Sequence, residues 1–79
     1  MVRQISLAAA AASLWSLFPV RGRVLHLQAP ESNQDPVYYG DSASQPFTLV
    51  AGEKLTLEMH TLKDIYVRGT GVLNVWVND

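Results

Sequence analysis

Seventy-nine residues, 48% of them hydrophobic and 16% charged, with no cysteine, fit one small domain and exclude a two-domain enzyme. Ordering such a chain costs roughly 1.5 kcal/mol per residue, about 120 kcal/mol in all, against apolar burial of similar size. Disulfides are excluded, and His26 and His60 are too few for a structural zinc site, so association with partners is the expected source of added stability.

The net charge of −1 conceals a split. Residues 1–29 carry Arg3, Arg21 and Arg23 and no acid, whereas the remainder sets seven acids against Lys54, Lys63 and Arg68, so +3 faces −4. Such a division favours subunits that meet head to flank, and three arginines fall far short of a nucleic-acid footprint. Arg3 followed by the apolar run 5–20 has the outline of a signal peptide. The small residues 8–12, however, precede the bulky Leu14-Trp15-Ser16-Leu17-Phe18 instead of following them, and Pro19 ends a run too short for the roughly 20 residues of a membrane span. A retained, structural N-terminus is expected, with no membrane contact.

In chain order, the first twenty residues admit two conformations: five alanines favour helix, while Val2, Ile5 and the interrupting serines tolerate a strand. The reading adopted is an extended strand over 2–10 and an irregular apolar connection to Pro19. From residue 23 the chain becomes short alternating segments separated by turn residues. Over 23–28, Leu25 and Leu27 share one face and His26 takes the other. Two prolines and an Asn/Asp/Ser cluster make 29–36 a loop, after which Val37-Tyr38-Tyr39 is a strand stopped by Gly40-Asp41. Past a loop at 42–46, Phe47-Thr48-Leu49 begins a strand that Ala51-Gly52-Glu53 turns back into 54–59, with Leu55, Leu57 and Met59 inward and Lys54, Thr56 and Glu58 outward. Over 64–68, Ile65 and Val67 point inward. Gly69-Thr70-Gly71 reads as a tight hairpin turn, its glycines supplying positive φ. It leads into 72–77, with Leu73, Val75 and Val77 inward and Trp76, like Tyr66, outward. The fold class is all-β: a small antiparallel β-sandwich or barrel of about six to seven short strands. An apolar N-terminal arm or first strand occupies 1–22 and the main domain 23–79.

No chemistry-bearing pattern stands out. His26, Asp41, Asp64, Ser42 and Ser44 supply the residue types of a hydrolytic triad, but neither serine lies in a nucleophile-elbow sequence. Gly69-Thr70-Gly71 lacks the lysine and helix of a phosphate loop, and Asp35 and Asp41 lack the density of a calcium loop. No cofactor or metal is expected. The anomaly is a surplus of large apolar side chains on faces that meet water: Tyr38, Tyr66 and Trp76 by alternation, with Trp15 and Phe18 ahead of the first turn. An interface accounts for them, or else a second sheet or the N-terminal arm folds over them.

Three runs in order, Asn33-Gln34-Asp35-Pro36-Val37-Tyr38-Tyr39-Gly40-Asp41-Ser42, Phe47-Thr48-Leu49-Val50-Ala51-Gly52-Glu53-Lys54-Leu55-Thr56-Leu57 and Asp64-Ile65-Tyr66-Val67-Arg68-Gly69-Thr70-Gly71, make residues 23–77 resemble small virion proteins of tailed bacteriophages. The resemblance implies a compact β-sandwich or barrel on the phage particle, made in the host cytoplasm, as a capsid decoration (cement) protein or a head, neck or tail accessory. It carries over no catalytic residue. The expected function is therefore a non-enzymatic structural subunit. Its partners would be the major capsid protein or other virion proteins, and copies of itself, with a trimer implied by how such proteins occupy threefold positions. Arg3, Leu14, Trp15, Leu17 and Phe18 are expected to anchor it, with Tyr38, Tyr66 and Trp76 as further interface residues. The alternative is a receptor- or glycan-binding module that uses Tyr38, Tyr66 and Trp76 as a stacking platform.

Overall fold

The computed structural model describes residues 2–19, 22–58 and 63–78. Its strands, in chain order, are β1 (Val2–Ser6), β2 (Ala12–Ser13), β3 (Val24–Gln28), β4 (Val37–Gly40), β5 (Phe47–Leu49), β6 (Lys54–Glu58), β7 (Tyr66–Arg68) and β8 (Val72–Asn78), with one helical turn, α1 (Leu14–Leu17). They form two four-stranded antiparallel sheets, in the orders β1-β8-β3-β6 and β2-β7-β4-β5. Among the described strands the first sheet ends on β1 and β6 and the second on β2 and β5, so neither closes into a barrel.

The pairings β1–β8, β2–β7, β3–β6 and β4–β5 are nested, so the chain is one long hairpin with its tip between β4 and β5, rolled until β8 also meets β3 and β7 meets β4. This corrects two expected hairpins. The turn around Gly52 carries the chain from β5 in the second sheet to β6 in the first, and Gly69-Thr70-Gly71 carries it from β7 in the second sheet to β8 in the first. Crossings run side by side and bond to one another: Gly52 N–H donates to the Ala29 carbonyl at 2.6 Å, Leu7 N–H to Gly71 at 3.0 Å and Gly69 N–H to Ala8 at 2.9 Å. Neither Gly69 nor Gly71 has positive φ. Among the described residues only Gly52 does, at 87°.

Alternation places the core. Ile5, Leu25, Leu27, Leu73 and Val75 of the first sheet share a single buried cluster with Val37, Leu49 and Val67 of the second. Leu55, Leu57, Ile65 and Val77 pack against that cluster, only half-buried. The strand expected over 2–10 is the shorter β1, and the expected irregular connection is β2 followed by α1. Ser13 caps α1, its Oγ accepting from Ser16 N–H at 3.2 Å, and Leu14 N–H donates to the Ile65 carbonyl at 2.8 Å. One helical turn has no stability of its own. Burial holds it, because Leu14 and Phe18, four residues apart, are both fully buried, a contribution of about 1.5–3 kcal/mol each.

Candidate interaction site

The expected interface residues do not form one patch. Leu14 and Phe18 are wholly inside the core, which corrects their assignment as an anchor: a fold that buries them cannot also present them. Trp15 and Leu17 are half-buried against the same core, with the Lys63 ammonium 5.2 Å from the Trp15 ring centroid. Arg3 is exposed on β1, on the same side as Ile5, and its guanidinium lies 5.7 Å from the centre of the Phe18 ring. A cation over that ring closes the end of the core, and a charge pointing inward on an edge strand discourages further strand pairing.

The remaining aromatics divide between the outer faces of the two sheets, so the three-ring platform does not assemble. Trp76 lies on the first sheet, where β8 and β3 bring it opposite His26 and the two rings stack at 5.1 Å with 13° between their planes. His26 is held on both sides, Nδ1 against Thr56 Oγ1 at 3.2 Å and Nε2 against Asn78 Nδ2 at 2.9 Å. Gln4 donates to Asn74 beside this group at 3.1 Å, so the face is a grid of satisfied polar side chains around one indole.

The second sheet is different. Its pairing sets Tyr38 on β4 opposite Arg68 on β7, and Gly40 opposite Tyr66. The Arg68 guanidinium lies 4.3 Å from the Tyr38 ring centroid, and its Nε donates to Gln45 Oε1 at 3.1 Å, which fixes the plane of the fork. A shallow depression of about 250 Å³ opens beside this pair, lined among others by Asp35, Pro36, Tyr38, Arg68 and Thr70. Asp35 accepts from the Thr70 hydroxyl at 2.9 Å, which closes one wall. Arg68 and Asp35 are the residues that sequence reasoning passed over here. The signal was the alternation that turned Tyr38 outward, but reading it required the β4–β7 pairing.

Among the described residues no group of three or more His, Asp or Glu side chains gathers in a way that could hold a metal ion, and no helix is long and apolar enough to cross a membrane. His60, Met59 and Arg21, which carried expectations above, lie outside the described residues. Compared with known proteins, the chain matches no family model, no curated protein sequence and no solved structure.

Proposed function

We propose that this chain is a structural subunit of a tailed-bacteriophage virion, a capsid decoration protein that attaches through the outer face of the β2-β7-β4-β5 sheet. The observation that carries the reading is convergence. Two of the three phage-like runs, far apart in sequence, become the adjacent strands β4 and β7, and their outward residues Tyr38, Tyr66 and Arg68 share one face. Tyr and Arg are the types enriched at binding hot spots, and a guanidinium already fixed over a ring loses little freedom on docking. The finer fold reading belongs with this one. We read the two sheets as the layers of a sandwich with jelly-roll connectivity, supported by the nested strand pairs and the shared core, and that architecture recurs in viral capsid and lectin domains. Fold alone sets no function, so the weight rests on the face.

The test uses particles assembled without the chain, to which purified protein is added and its occupancy measured. Tyr38→Ala and Arg68→Ala should each weaken attachment by about thirtyfold or more while the domain stays folded, and Trp76→Ala should leave it within about threefold. Equal occupancy by all three variants would contradict the assignment of this face.

A further inference from the structure

Arg68 is held in place without being neutralised. The register puts Ser13, Tyr38, Gly40, Thr48, Tyr66 and Arg68 on the outward positions of the second sheet, so Arg68 is the one charged side chain among them. Its Nε is taken by Gln45 Oε1, and that amide is fixed in turn by its Nε2, which donates to the Asp41 carbonyl at 2.7 Å. Tyr38 covers one face of the guanidinium plane. The two terminal nitrogens, with four N–H groups between them, have no partner among the described residues. Asp35, on the wall of the same depression, forms no ion pair with them. We propose that this fork receives one carboxylate side chain, Asp or Glu, from a protein that docks on the β2-β7-β4-β5 face. That the acid belongs to a docked partner rests on the reading of this face as the attached one.

With one face on the ring and Nε engaged, the open approach to the guanidinium lies in its own plane, at the terminal nitrogens. A planar acceptor with two oxygens meets that end through two parallel bonds, a charge-assisted geometry that Arg offers and Lys does not. Because the plane is already fixed, little freedom is lost on pairing. Asp35 decides between anions. Its carboxylate stays on the wall, accepting from the Thr70 hydroxyl at 2.9 Å, and at equal distance it repels a phosphate dianion about twice as strongly as a carboxylate. Size decides the source. The depression, about 250 Å³, falls below the roughly 300–1,000 Å³ of pockets that enclose a drug-sized ligand, so it takes one side chain and not a whole metabolite. Pro36 and the Tyr38 ring supply apolar walls for the methylene groups of that side chain.

The test is an NMR titration of the intact, isotope-labelled chain that reads the Arg68 Nε–H and Tyr38 ring signals. Three probes are used: glutamate capped by an acetyl group and a terminal amide, so that its side-chain carboxylate is its one charge; glutamine capped in the same way; and inorganic phosphate. Capped glutamate should shift both signals saturably, with a Kd on the order of 10 mM at low salt, and capped glutamine should bind at least about tenfold more weakly. Phosphate should bind no more tightly than capped glutamate. Arg68→Lys keeps the charge and loses the fork, and should weaken capped glutamate at least about fivefold. Asp35→Asn can still accept from Thr70. By removing a like charge it should tighten capped glutamate about threefold and phosphate by more, whereas a purely structural role for Asp35 would move affinity the other way. Equal binding of the two capped residues, tighter binding of phosphate by the unmodified chain, indifference to Arg68→Lys, or weaker binding by Asp35→Asn would overturn the proposal. The titration contains no particle, so its failure strikes this inference alone. A chain that binds capped glutamate but never occupies particles strikes the virion reading and leaves the carboxylate site standing.

Discussion

Asn33 lies in a loop, yet it acts as a ladder residue. Its Nδ2 donates to the Val72 carbonyl at 2.8 Å and its Oδ1 accepts from Val72 N–H at 3.1 Å, so one amide side chain satisfies both backbone groups at the start of β8. The same amide explains Gly71: a Cβ there would collide with Asn33 Oδ1. Asn33→Ala should cost about 1–3 kcal/mol in denaturant unfolding, because it leaves part-buried backbone groups unpaired. Gly71→Ala should cost a similar amount by displacing the amide. Since both substitutions break one contact, the double variant should cost clearly less than their sum, and additive losses would show that the amide and the glycine act independently. Gly52→Ala tests backbone freedom instead. At φ 87° it should cost about 1 kcal/mol, with no dependence on Asn33.

Among the elements, α1 is where sequence and structure part most clearly. Leu14 and Phe18 stand at helical spacing, but with two tryptophans and three tyrosines in so short a chain the bulky run 14–18 reads equally as an exposed anchor. The pairing of β1 with β8 and of β2 with β7 brackets residues 14–18, and Phe18 ends fully buried in the shared core. Phe18→Ala should therefore destabilise the domain by about 3–5 kcal/mol in thermal or urea unfolding. Removal of residues 1–18 takes away an edge strand from each sheet as well as the plug. The truncated chain should lose its cooperative unfolding transition, and a truncated domain that melts like the intact one would refute the plug. Strand faces were legible, since period-two alternation at Leu25 and Leu27, at Val67 and at Leu73 and Val75 put the right side chains inside. Strand partners were not. A Gly turn that closes a hairpin and a Gly turn that crosses between sheets use the same local chemistry, so Gly52 and Gly69-Thr70-Gly71 could not announce which they were. The outward Tyr38 and Tyr66 were readable for the same reason as the core, while the Tyr38–Arg68 pair depends on contacts distant in sequence.

At the scale of the whole molecule, the radius of gyration is 11.2 Å, and among the described residues the large apolar side chains most open to solvent are Phe47 and Val50, on the flank made by β5 and the turn after it, while the cations Arg3, Lys63 and Arg68 each lie over an aromatic ring elsewhere. A domain this small has a narrow margin of stability, so partners that bury this flank and the Tyr38–Arg68 face should raise it. The melting temperature should accordingly rise with protein concentration, and a midpoint constant over a hundredfold dilution would mean that the isolated chain supplies all of its own stability. The central claim, membership of a virion, is tested most directly by quantitative mass spectrometry of gradient-purified phage particles from cells that produce this chain. The account predicts that the chain sediments with the particles in many copies, on the order of the number of capsomers, and resists removal by low salt. Recovery of the chain only from the soluble fraction, with none on the particles, would contradict it.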